Sequence, residues 1–177
     1  KQLFAALEEN GVCTVAELEE TAASYAFDYP FLKNIPYGEG NRLEGYLFPD
    51  TYEFYVDDDP ERVLAKFLNN FSWKLTEELE ADISELNRDL RLRMKKNGFS
   101  QDEIQENLVD LNDVIIIASL IERESSGPSE NSLISSVIYN RLCSKIYPLL
   151  EIDASVRYGL DKWEGDLTAE DLASDTP

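Results

Sequence analysis

Two carboxylates flank a guanidinium in Ile121-Glu-Arg-Glu124, at the end of the strongly apolar run that begins at Val114 and stops before Gly127-Pro128. Carboxyl groups in such a place suit proton transfer. At about 100° per residue, Glu124 falls on the stripe of Ile117, Leu120 and Ile121, so the phase predicts that it points toward whatever buries those side chains. Lost hydration and the negative end of the helix macrodipole both penalise the ionised form, which predicts a raised Glu124 pKa. Each pH unit of such a rise corresponds to about 1.4 kcal/mol. A carboxyl that keeps its proton near neutrality can act as a general acid. Glu122, on the face of Ile115 and Ala118, is the nearest rival, and Arg123 projects between the two. The commoner explanation of a glutamate in a last helical turn is simple hydration.

The elements that must hold these residues are mostly helices. The first is expected over Lys1 to Asn10, closed by Gly11, and a second runs from the capping box Thr14/Glu17 to about Ser24. Residues 29 to 52, with Pro30, Pro36, Gly38, Gly40, Gly45 and Pro49 among aromatics, read as ordered loop with short strands. Asp59-Pro60 opens a long amphipathic helix or helix pair to about Lys96, carried by Leu64, Phe67, Phe71, Leu75, Leu79, Ile83, Leu86 and Leu90. Ser100 and Glu103 form a second capping box before the apolar helix. A further helix is expected from Ser129 to Cys143, burying Leu133, Ile134, Val137, Ile138 and Leu142. The expected class is α+β and predominantly α, with a small β element near residues 42 to 56.

Composition removes several chemistries. Thirty-six acidic and 16 basic residues give a formal net charge of −20, which repels nucleic acid and anionic lipid surfaces. The chain has no histidine, so catalytic triads and histidine-bearing metal sites are excluded, and no metal is expected. Cys13 and Cys143 are too few and too far apart in sequence for a metal motif; the sequence leaves open whether they pair, with free, mostly buried thiols as the default. No apolar run is long enough to span a membrane. The start inside a helix and the stop at Asp175-Thr-Pro177 read as a segment of a longer protein, so an anchor is expected to lie outside it.

Four stretches occur in a telling order: Leu43-Glu-Gly-Tyr-Leu-Phe-Pro-Asp-Thr-Tyr-Glu-Phe54, Ile117-Ala-Ser-Leu-Ile-Glu-Arg-Glu124, Val137-Ile-Tyr-Asn-Arg-Leu142 and Ile152-Asp-Ala-Ser-Val-Arg-Tyr-Gly-Leu160. Together they resemble the successive signatures of the YceG/MltG-like endolytic murein transglycosylases. The resemblance implies a lysozyme-like helical catalytic core over residues 41 to 177, truncated at its C-terminal end. Residues 1 to 40 would be a helical segment following a missing LysM-like subdomain.

The implied activity is a lyase cleavage of the β-1,4 bond from N-acetylmuramic acid to N-acetylglucosamine in nascent strands, leaving 1,6-anhydro ends and terminating elongation. The family's catalytic glutamate lands on Glu124. A single acid-base carboxyl suffices, because the C6 hydroxyl replaces the water and second carboxylate of ordinary hydrolysis. Glu44, Tyr46, Asp50, Thr51 and Tyr52 match the first motif and are candidates to line a glycan groove; capping and packing are the competing explanations for Asp50 and Thr51. Asn140 and Arg141 are candidates to orient Glu124 or bind substrate, with an internal hydrogen bond equally open. Asp153, Ser155 and Tyr158 complete the set, Asp153 by default an N-cap for Ala154 to Leu160.

Glu151 stands where the family commonly has glutamine, and Ser155 where threonine is usual. A carboxylate at 151 close to Glu124 would raise its pKa further. The family's groove-completing segments follow beyond Pro177, so the segment alone is expected to be weak or inactive. The resemblance also implies an extracytoplasmic location, an upstream membrane anchor, glycan strands as partner and cell-wall synthases as further partners. Two other classes stand beside it. One is a non-catalytic murein-binding scaffold. The other, disfavoured, is a pyridoxal-phosphate aminodeoxychorismate lyase, which needs a Schiff-base lysine in an apolar segment and a phosphate cradle that this sequence lacks. No cofactor is expected.

Overall fold

The computed structural model describes residues 2 to 38 and 41 to 173. Lys1, Gly40 and the terminal Asp175-Thr-Pro177 of the sequence reading lie outside the described residues. The chain divides into two compact units, Lys1–Glu80 and Ala81–Pro177.

In the first unit, α1 (Gln2–Glu9) and α2 (Val15–Ser24) pack on each other, and α2 packs on α3 (Pro60–Lys74). Both predicted helix starts hold. The Thr14 hydroxyl accepts from the Glu17 amide while Glu17 accepts from the Thr14 amide, and the Asp59 carboxylate accepts from the amides of Glu61 and Arg62 ahead of Pro60. The core gathers Leu18, Ala22, Leu43, Tyr46, Val63, Leu64, Phe67 and Leu68, all nearly inaccessible. Each buried leucine or valine is worth roughly 1.5–3 kcal/mol. Residues after 40 belong to this same unit: Arg42, itself buried, donates through Nη1 to the carbonyls of Ala22 and Tyr25 and stacks on Tyr37.

The β element expected near residues 42 to 56 is absent: no strand forms among the described residues. Residues 51 to 55 do run without helical turns, but a strand needs a neighbour to satisfy its amides. Only the amides of Asp57 and Asp58 reach such backbone, on the carbonyls of Gly11 and Val12 at 2.9 Å each. Asp58 is buried, and its carboxylate accepts from Arg62 and from the Tyr55 and Asp59 amides, which turn the strap into α3.

In the second unit the expected long helix is a pair, and its second member α4 (Glu77–Lys96) places Leu90 and Met94 in the core. Ser100 and Glu103 cap α5 (Gln101–Glu106) as expected. Asn87 then bridges to the chain before α6, taking the Val109 amide on Oδ1 at 2.9 Å and donating to the Val109 carbonyl at 2.7 Å. The apolar helix α6 (Leu111–Glu124) starts at a third capping box, Asp110 with Asp113. It packs against α7 (Pro128–Leu142) and α8 (Asp153–Gly159). A four-residue turn of helix, α9 (Ala169–Leu172), follows.

The buried face predicted for α7 holds for Ile138, with Ile134 and Leu142 partly covered, but Leu133 and Val137 are exposed. Ile134, Ile138 and Leu142, at spacing four, join the core with Tyr139. Both cysteines are free and buried, as expected, and burial pushes both thiols up.

Candidate active site

Glu124 is the last residue of α6, and the tertiary structure gives it surroundings that helical phase did not foretell. Ile117 is buried and Leu120 and Ile121 are partly buried, but the core ends there and Glu124 is exposed. The expected desolvation of Glu124 is thus not found, because the last turn projects beyond the apolar layer. Its Oε1 instead accepts from the backbone amide of Ala154, 3.4 Å away at the start of α8. That helix has no side-chain cap: Ile152 occupies the cap position and Asp153 is already helical. The default assignment of Asp153 as N-cap is corrected accordingly, and Glu124 supplies from another helix the acceptor that a capping side chain would otherwise provide.

Glu122 faces elsewhere. With Ala118, Ile121, Ser125, Asn131 and Ser132 it lines an open groove of about 550 Å³ where α6 turns into α7. The turn is fixed by Ser125, whose hydroxyl donates to the Gly127 carbonyl at 2.6 Å and accepts from the Gly127 amide at 3.1 Å. The two glutamates of the motif therefore look onto different surroundings, Glu122 onto the α6–α7 groove and Glu124 onto the end of α8.

The other residues singled out in this unit sort into framework and surroundings. Asn140 accepts from Arg93 Nη1 at 2.9 Å, tying α7 to α4. Arg141 donates to the carbonyls of Leu149 and Leu150 and pairs with Glu151 at 3.0 Å. This clamps the loop that leads into α8. Glu151 has φ 50°, a left-handed conformation that costs a non-glycine residue about 1–2 kcal/mol, and the Arg141 clamp holds it there. The Ser155 hydroxyl donates to the Ile152 carbonyl at 2.7 Å. Tyr158 is exposed and meets Trp163 edge to face. Trp163, which sequence reasoning passed over, also carries the Arg123 guanidinium on its ring, at 4.6 Å from the centroid. A tryptophan in the polar stretch after α8 was the available signal.

The candidates from the first motif lie in the other unit. Tyr46 is buried between Phe31 and Phe71, so packing is its role there. Asp50 accepts from the Thr51 amide and from Asn70, which also donates to the Tyr52 hydroxyl, while Tyr52 donates to the Phe48 carbonyl. The Asn70 bond, with the Thr51 amide behind it, holds the Asp50 carboxyl below the usual range. Asp50 and Tyr52, with Phe54, Tyr55 and Lys66, line a hollow of about 810 Å³ against α1. Glu44 and Thr51 are exposed.

Among the described residues no group of histidine, cysteine, aspartate or glutamate side chains is placed to hold a metal ion, and no helix is long and apolar enough to cross a membrane. What the geometry offers is an accessible carboxyl, located by a backbone donor, on the residue after the arginine that stacks on Trp163. Such a group can give a proton to, and take one from, a saccharide oxygen.

Comparison with known proteins points the same way. The chain is similar to the "Endolytic murein transglycosylase" of Bacillus subtilis (strain 168), 30% identical over 177 residues, which is all of this chain and 41% of that protein. Proteins of the same name from two strains of Streptococcus pneumoniae are 31% identical over 165 and 164 residues, 89% of this chain and 25% of theirs. The chain thus spans less than half the length of these relatives. The family described as YceG-like matches residues 1–177, and with that match over its whole length the chain belongs to the YceG-like family.

Proposed function

We propose that this chain carries the acid-base centre of an endolytic lytic transglycosylase acting on murein glycan, with Glu124 as the catalytic residue. The observation that carries the reading is the exposed Glu124 carboxyl at the meeting of α6 and α8, in a chain whose relatives bear that enzyme's name. Glu124 in its acid form gives a proton to the glycosidic oxygen leaving C1 of N-acetylmuramic acid, on the N-acetylglucosamine side. The carboxylate so formed takes the proton of the C6 hydroxyl as that oxygen bonds to C1. One C–O bond breaks and one forms, no water is consumed, and the carboxyl ends as it began. The product is a 1,6-anhydro end.

The glycan completes the site by lying over Glu124 and displacing water, so catalytic geometry is reached in the complex rather than in the free protein. The same reading places the protein outside the cytoplasm, held by a membrane helix not among these residues, beside the synthases that extend the strand.

The test is digestion of murein by the natural protein that contains this chain, with 1,6-anhydro ends counted by mass. Their appearance, and their loss in Glu124→Gln, is expected. Hydrolytic ends with a free reducing sugar, or undiminished release by Glu124→Gln, overturn the reading.

A further inference from the structure

The Arg123 guanidinium rests on an aromatic ring, where four other arginines of this chain rest on acids. Arg62, Arg88, Arg93 and Arg141 each pair with an acidic side chain, in a chain where acids outnumber bases 36 to 16. Arg123 has a glutamate on either side in sequence, yet its guanidinium lies on the Trp163 ring, 4.6 Å from the centroid. A guanidinium held by its face keeps its in-plane N–H donors for another group. Those donors form a fork that matches a carboxylate in a bidentate manner.

The stacking partner is built in. Arg157 Nη1 donates to the carbonyls of Lys162 and Gly165, at 3.3 and 3.0 Å on either side of Trp163. Lys162 pairs with Asp171, and the indole N–H donates to Asp161 at 3.1 Å. The edge-to-face contact with Tyr158 adds a second ring, and both rings keep about half their surface open, Trp163 at 43% and Tyr158 at 52%. A cation and two partly open aromatic rings are therefore held together, the cation carried by the residue before Glu124 in the last turn of α6. Acids flank this cation in sequence at Glu122 and Glu124, and the chain is strongly acidic, so an anion gains most when a sugar seated on the rings delivers it.

We propose that Arg123, clamped on Trp163, binds a carboxylate carried on the saccharide, and so selects peptide-substituted muramic acid units over neutral sugar. The inference rests on the reading of Glu124 as the centre of a glycan-cleaving enzyme and adds the group that recognises its substrate.

The experiment uses tryptophan fluorescence. These residues hold two tryptophans; in the natural protein that contains them, Trp73→Phe at an exposed position, with any tryptophan outside residues 1–177 likewise changed to Phe, leaves Trp163 as the reporter. The probes are N-acetylmuramoyl-alanyl-glutamate, its carboxyl-amidated form, neutral chitobiose, and alanyl-glutamate without sugar, each to about 10 mM, the range of a weak single-site contact. The acidic glycopeptide is expected to shift the emission with at least about tenfold tighter binding than the amidated form, as one charge-assisted pair allows. Added salt weakens it. Arg123→Gln abolishes that preference, and Arg123→Lys keeps part of it. Equal response to acidic and amidated probes, a response to the peptide alone as strong as to the glycopeptide, an unaltered preference in Arg123→Gln, or no response to any probe overturns the inference. A charge-selective response from a protein that yields no anhydro ends removes the proposed activity and leaves the binding site standing.

Discussion

The amide of Ala154 donates to Glu124 Oε1 at 3.4 Å, joining the last residue of α6 to the first turn of α8. The bond is long and its acceptor exposed, so its worth lies in aim more than in stability. It fixes where the carboxyl sits without enclosing it, and it leaves Oε2 to face solvent or substrate. The four signature stretches are far apart in sequence, yet two of them meet at this contact.

Glu124→Gln keeps a similar shape, and because the side chain is exposed the protein is expected to fold and melt normally. Release of anhydro ends should fall about 10²–10⁴-fold, the range for loss of a positioned general acid-base group. Glu122→Gln, altered in a separate groove, should lose less than about threefold. A reversed order in the kinetics of murein digestion would move the catalytic role to Glu122.

Glu103 accepts from the Ser100 amide, the Lys145 ammonium and the Ser100 hydroxyl, which hold its carboxyl at about 2. The folded value lies below the unfolded one of about 4.3, so the stabilisation is fully present above that pH and lost as pH falls through about 2. Carbon-13 NMR should show Glu103 titrating near the lower value, and Lys145→Met should move its midpoint up by on the order of one pH unit. A midpoint that ignores Lys145 would mean that the pair does not form in solution.

Tyr46→Ala is expected to destabilise the first unit by about 3–5 kcal/mol, since the ring fills a buried space between Phe31 and Phe71. Chemical denaturation measures it. A stable variant that has lost glycan binding would return Tyr46 to the groove-lining role its motif suggested.

Asn87→Ala removes both partners of the Val109 backbone at once, and a loss of about 1–3 kcal/mol is expected in the second unit. Asn87→Asp should restore the acceptor to the Val109 amide but not the donor, and so recover only part of that loss. Amide exchange at Val109 provides the local readout, accelerating in Asn87→Ala and much less in Asn87→Asp.

Much of the framework was legible in the chain. Thr14/Glu17, Asp59-Pro60 and Ser100/Glu103 start helices where their side chains dictate, because a cap involves residues three apart and needs no distant partner. The spacing of Leu64, Phe67 and Phe71 gave the buried face of α3 for the same reason. The expected β element near residues 42 to 56 failed because a loop rich in proline, glycine and aromatics does not say whether a second strand lies alongside.

By itself the sequence settled which residues could do acid-base chemistry, since the lack of histidine left that work to carboxyls, and it fixed the position of Glu124 at the end of an apolar helix. It could not settle what stands around that carboxyl. The end of the core at Ile121, the donor from Ala154, the setting of Arg123 on Trp163 and the diversion of Glu151 to Arg141 all depend on contacts between elements. Helical phase is carried by each segment's own residues and gives the direction in which a side chain leaves the backbone; the depth of the surrounding protein and the dipoles that reach it come from other segments, and only their packing decides them.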